Sequence, residues 1–160
     1  MTEPLQPGKT GEPLSTSEVV FRLLKASKDG VAVEAHFALS EEDKQAKLPA
    51  LSVWAVRLTT PEQARHFFAV EKQADYALCA LLNVEDVRTL GIPELPHPVL
   101  EVVWDTLYEE GITLPDTRPG AKGHAGITGL VKPPGMERRI YKKLRTRLAD
   151  LANQNLRPLS

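Results

Sequence analysis

The sequence predicts a single compact α+β domain: a mixed or antiparallel sheet with packed helices and a basic amphipathic helix at its C-terminal end. Three observations carry this expectation. Short β-branched and aromatic runs alternate with segments bearing helix-cap chemistry. Met136, Ile140, Leu144, Leu148 and Leu151 fall on one side of a helix, with Tyr141 beside them. The chain has 160 residues, enough for one well-buried domain, and its 42% hydrophobic and 26% charged composition is globular rather than disordered. The expected organisation is a disordered arm over 1–16, a body over 17–132, and the helix with its tail over 133–160.

The arm is assigned from Pro4, Pro7, Gly8, Gly11 and Pro13, which interrupt any apolar pattern. Val19-Val20-Phe21-Arg22-Leu23-Leu24 fits a buried strand or a short helix, because so short a run does not decide between them. After Asp29-Gly30, the alternation of Val31, Val33, Ala35, Phe37 and Leu39 predicts a half-buried strand. Ser40 ahead of Glu41-Glu42-Asp43 reads as a helix cap, with acids facing the positive end of the helix dipole.

Leu51-Ser52-Val53-Trp54-Ala55-Val56-Arg57-Leu58 has strand composition. Thr60 and Gln63 make a capping box around Pro61, and Ala64, Phe67, Phe68 and Glu71 follow at helical spacing. Residues 76–82 form an apolar run that predicts a central strand, and Asn83 caps a short helix stopped by Gly91. Residues 99–107 suit either a helix or a strand.

The last helix separates charge. Residues 137–151 hold six basic and two acidic side chains, whereas the whole chain has a net charge of −1. Arg138, Arg139, Lys142, Lys143, Arg145 and Arg147 form its polar side. Such a face serves docking on the chain's own acidic body, an acidic partner protein, or nucleic-acid phosphates. No interleaved aromatics supply a base-stacking platform, which ranks nucleic acid below protein.

Glycines recur at 120, 123, 126 and 129, with Arg118, Lys122, His124 and Thr128 among them as candidate ligand-binding donors. The bland alternative is a glycine-rich loop entering an edge strand, with His124 bonded to backbone. The segment lacks the Gly-Lys-Ser/Thr of a phosphate loop and the strand-first context of a dinucleotide fingerprint.

The single Cys79 excludes an internal disulfide and lies in an apolar run, where a buried, inert thiol is expected. His36, His66, His97 and His124 are scattered, so no metal site is expected. The acids at 41–43 and at Glu109-Glu110 read as helix-start and turn residues. No apolar stretch has the length of a membrane span, and no basic region precedes an apolar one at the start. The expectation is therefore a cytoplasmic protein with no membrane contact.

Val20-Phe21-Arg22, Ala35-His36-Phe37, Leu51-Ser52-Val53-Trp54, Thr60-Pro61-Glu62 and the 123–130 segment resemble a group of small bacterial proteins without assigned activity. That resemblance implies kinship of fold. An arginine on a first strand, a serine on a later one and a polar residue on a third is also similar to the NAD pocket of ADP-ribosyltransferases. It implies Arg22 on a diphosphate, Ser52 at the nicotinamide ribose and His124 orienting, although the late glutamate of that layout has no counterpart here.

Two functions follow as expectations. The leading one is an interaction module of a bacterial multi-component system, such as a toxin–antitoxin or defence locus. It would bind a protein partner, or a second copy of itself, without a cofactor. The alternative is an NAD- or nucleotide-binding enzyme using Arg22, Ser52 and His124.

Overall fold

A computed structural model describes residues 8–46, 48–71, 75–105 and 123–159, and within these the side chains of 42 and 67–71 are not described. Among the described residues, six strands form one sheet. They are β1 (Val19–Leu24), β2 (Leu51–Ala55), β3 (Leu78–Asn83), β4 (Glu101–Trp104), β5 (His124–Thr128) and β6 (Leu156–Pro158), in the order β4-β5-β2-β1-β3-β6. Every neighbouring pair is antiparallel. The helices are α1 (Glu41–Gln45), α2 (Pro61–Glu71), α3 (Val84–Arg88) and α4 (Arg138–Asn153). The fold is a single α+β domain with a C-terminal helix. No helix of the described residues is long and apolar enough to cross a membrane.

The period of two along each strand divides the core into two layers. On one face Val20, Leu24, Val53, Leu82, Val102 and Ile127 meet α3 and α4 through Val84, Val87, Leu144 and Leu148. On the other face Phe21, Leu23, Trp54 and Cys79 pack with Ala64 of α2. α4 buries Tyr141, Leu144, Leu148, Ala149 and Ala152, so the stripe is rotated from the expected one: Leu144 and Leu148 are shared, whereas Met136, Ile140 and Leu151 are only partly buried against the core.

Local capping chemistry sets two helix starts. Ser40 Oγ accepts the Asp43 N–H at 3.0 Å, and the Asp43 carboxylate accepts the Ser40 N–H at 3.3 Å. Thr60 Oγ1 accepts the Gln63 N–H at 3.2 Å, while Gln63 Oε1 accepts the Thr60 N–H at 3.0 Å. The two open assignments resolve as strands: β1 pairs on both sides, and residues 101–104 join β5.

Three segments depart from the sequence reading. The alternating stretch from Val31 to Leu39 is not a strand; Glu34–Phe37 is a 3₁₀ helix. Its backbone finds partners off the sheet. The Asn153 amide of α4 both accepts from Ala32 N–H at 2.8 Å and donates to Ala32 O at 2.9 Å. Phe37 is fully buried, while Val31 and Val33 are exposed. The alternation was therefore not a buried face.

Residues 11–14, assigned by sequence to the arm, hydrogen-bond along the outer edge of β4. Gly11 N–H donates to Trp104 O at 2.8 Å, and Leu14 N–H donates to Val102 O at 3.0 Å. Leu14 is buried in the main core. A single leucine between prolines and glycines gives no periodic signal, so the anchoring is a tertiary event. The tail after α4 also pairs, as β6 against β3.

Glycine is required at position 129, just past β5. Its φ is +97°, and a Cβ there would lie 2.1 Å from the Val99 carbonyl oxygen.

Candidate functional site

β5 is an interior strand, flanked by β4 and β2, and not an edge. Its register against β2 sets Trp54 opposite His124 and Ser52 opposite Gly126. Ser52, Trp54, His124 and Gly126 therefore share the sheet face that α2 covers elsewhere. Ala55 N–H donates to Gly123 O, so by alternation the 52–126 and 54–124 pairs are the closely spaced, non-hydrogen-bonded kind. Ser52 and His124 are diagonal neighbours, within side-chain reach. A Cβ on residue 126 would stand 2.5 Å from Ala50 Cβ, so glycine lets the start of β2 close onto β5 beside Ser52.

The reach is used. His124 Nε2 lies 3.0 Å from Ser52 Oγ, and His124 Nδ1 lies 2.6 Å from the backbone oxygen of Asp105. A carbonyl only accepts, so Nδ1 carries the proton and donates to it. Nε2 is left with its lone pair and accepts the Ser52 hydroxyl. The Asp105 carboxylate oxygen Oδ2 sits 3.8 Å from Nδ1. His124 is 5% exposed and packs edge-on against Trp54, with ring centroids 5.2 Å apart. Trp54 in turn stacks on Phe21 at 5.6 Å. Ser52 is half-buried.

Arg22 belongs to the opposite face. Its Nη1 donates to the backbone oxygen of Ser52 at 2.8 Å, and Nε and Nη2 both donate to His36 O, at 3.1 and 2.8 Å. The guanidinium carbon stands 5.7 Å from the centre of the Phe37 ring. Burial pulls the Arg22 pKa down to about 10, partly offset by Tyr76 and Asp43, and leaves it cationic at neutral pH. The β1–β2 pairing is recorded only at Val20–Ala55 and Phe21–Trp54. Beyond it, the arginine ties the main chain of Ser52 in β2 to that of His36 in the 3₁₀ helix.

Three candidates read from sequence are thus linked, in a particular way. Ser52 and His124 touch through their side chains, whereas Arg22 holds Ser52 through its main chain. Thr128 lies at the far end of β5, with its hydroxyl 3.5 Å from Glu101 O. Arg118, Lys122, Glu109 and Glu110 lie outside the described residues. Asp105 was not singled out by sequence, since a lone acid after a strand carries no signal.

His36 does not join His124. Its Nδ1 accepts the Val33 N–H at 3.0 Å and its Nε2 donates to Lys25 O at 2.9 Å. Cys79 is fully buried, and burial pushes its thiol up to about 11. Among the described residues, no cluster of three His, Cys, Asp or Glu side chains forms a metal site.

The basic helix is split in use. Arg145 pairs with Glu34 at 2.7 Å and Lys143 with Glu94 at 2.6 Å, docking α4 on the body. Glu94 is held below its ordinary carboxylate pKa by its hydrogen bond from Lys143. Arg139 pairs with Glu137. Arg138, Lys142 and Arg147 are in no ion pair among the described residues. A cleft of about 490 Å³ runs between α4 and the 92–94 turn. Ile92 and Pro93 line it on one side, and Arg139, Lys142, Lys143 and Arg147 on the other.

No family model, curated protein or solved structure matches the chain.

Proposed function

We propose that the protein is an interaction module that holds an acidic segment of a partner protein in the cleft beside α4. The observation that carries this reading is the cleft's charge. Four cations, Arg139, Lys142, Lys143 and Arg147, line it; Glu137 and Glu94 pair two of them, and Lys142 and Arg147 are in no ion pair among the described residues. Ile92, Pro93 and the aliphatic stems of the long cations offer an apolar surface, which suits a peptide carrying both acidic and apolar side chains. Among the described residues no aromatic side chain lines the cleft for base stacking, which favours protein over nucleic acid.

The test is fluorescence anisotropy with a labelled peptide of alternating Asp and Leu. Binding should weaken roughly tenfold or more as salt rises from about 0.05 M to about 0.3 M, because exposed charge pairs are screened over about 10 Å at 0.1 M. The double substitution Lys142→Glu and Arg147→Glu should abolish it at unchanged melting temperature. Equal binding by that variant, or tighter binding to single-stranded DNA of matched charge, would overturn the proposal.

A further inference from the structure

We infer that Ser52 and His124 form a nucleophile and general base for acyl transfer from small carboxylic esters, at a site separate from the α4 cleft. Geometry comes first. Ser52 Oγ is 3.0 Å from His124 Nε2, inside the range in which a base takes a nucleophile's proton. The opposite ring nitrogen is 2.6 Å from Asp105 O, which fixes the tautomer whose lone pair faces the hydroxyl.

Placement comes second. Both residues lie on paired interior strands, and Trp54 holds the ring edge-on. On the far side of the sheet, Arg22 bonds the carbonyl of Ser52 itself. A side chain whose backbone is pinned from behind keeps its reactive atom in one place. Exposure is also divided suitably: the base is 5% exposed, while the nucleophile is only half-buried and stays reachable.

Cost comes third. This face otherwise buries Phe21, Leu23, Trp54 and Cys79. Two apolar side chains at 52 and 124 would satisfy the fold without desolvating a hydroxyl and an imidazole. Departures of this kind from local consistency concentrate at functional sites.

The chemistry balances within these groups. Ser52 Oγ attacks the ester carbonyl carbon as its proton passes to His124 Nε2, and the carbonyl π pair moves onto oxygen. Collapse of the tetrahedral species re-forms the carbonyl and breaks the bond to the alkoxy group, which leaves as alcohol with the Nε2 proton. The Ser52 ester then reacts with water by the same sequence. His124 takes the water proton and returns it to Oγ, and the carboxylic acid is released. While the ring is cationic, Asp105 Oδ2 at 3.8 Å from Nδ1 is its counter-charge.

The full-length chain should be treated with a fluorophosphonate, which phosphonylates Ser52 Oγ with loss of fluoride, and mapped by peptide mass spectrometry. p-Nitrophenyl acetate reports turnover in parallel. The expected adduct sits on Ser52 and is absent from Ser52→Ala. His124→Gln, which keeps a polar partner, should label roughly 100-fold more slowly, the low end of a general base's contribution.

Ser52→Cys supplies an independent measurement should the glutamine variant fail to fold. Its introduced thiol should alkylate about tenfold or more faster than free glutathione at neutral pH, because a neighbouring imidazole raises the thiolate fraction. An unlabelled Ser52 in the folded wild type would overturn the inference. So would wild-type labelling in a folded His124→Gln, or an introduced thiol no faster than glutathione.

Discussion

The two faces of the sheet do different work. The face beneath α3 and α4 is aliphatic and large; Leu51, Val53, Ile127, Leu144 and Leu148 are at most 1% exposed. The other face holds a smaller aromatic cluster, and two polar residues of that face, Ser52 and His124, are bonded to each other. Stability resides mainly in the first face and candidate chemistry in the second. Arg22 is the exception that joins them: it rises from the α4 side among core residues, yet its guanidinium holds the main chain of Ser52. The lesson is that a reactive side chain can be steadied through its backbone from the far side of a sheet only one residue thick.

The sharpest way to break the comparison is to damage the aliphatic face alone. Leu148→Ala should cost about 4 kcal/mol, from lost transfer energy plus an unfilled cavity, measured by urea denaturation. The fluorophosphonate labelling rate of its folded fraction should match wild type. A large change in that rate would show that the two faces are not separable.

Cutting the link comes next. Arg22→Met removes three charge-assisted bonds and orphans the carbonyls of His36 and Ser52, for a loss of about 3 kcal/mol. Here the labelling rate should fall as well, since Ser52 loses its brace. Arg22→Lys should recover less than half of the lost stability, because an ammonium does not reproduce the planar fork.

The smallest effect concerns Cys79 on the aromatic face. Its thiol is raised from 9.0 to about 11, by desolvation first, opposed by Arg157 and assisted by Glu62. A raised pKa means that the folded protein keeps this proton longer than the unfolded chain. The associated stability is full below about pH 9 and is lost as pH rises through about 11, up to about 2 kcal/mol. Comparing urea midpoints of wild type and Cys79→Ala between pH 8 and about 11 isolates this loss, and the variant should fall less steeply. Parallel curves would place the thiol in a wetter setting than its burial indicates.

Much of the fold is legible locally. The caps at Ser40 and Thr60 are short-range hydrogen bonds, and any chain with those residues at those spacings offers them. The helical period of α4 and the strand character of residues 51–55 also follow from spacing and side-chain shape, although packing buries Ala149 and Ala152 more deeply than Ile140 and Leu151. The stretch from Val31 to Leu39 misleads for a physical reason. Alternation signals a strand only when other strands supply backbone partners, and here an amide from residue 153 supplies them. Leu14 and β6 were illegible because short extended segments acquire partners only after the sheet has formed.

The candidate site divides in the same way. The sequence by itself determined which groups exist: one arginine in β1, one serine in β2, one histidine at the start of β5, and a helix carrying six cations on its polar side. It also determined the faces within each strand, because a period of two is a property of the backbone. Tertiary structure alone decided which groups meet. The strand order places β5 beside β2, and one register out of several sets His124 diagonal to Ser52 across 72 residues of chain. A shift of one residue would send either side chain to the opposite face. Tertiary structure likewise decided which cations of α4 are used internally, by setting Glu34 and Glu94 against it. Local propensity acts over a few residues and is written in the chain, whereas contacts between distant residues depend on the packing of whole elements.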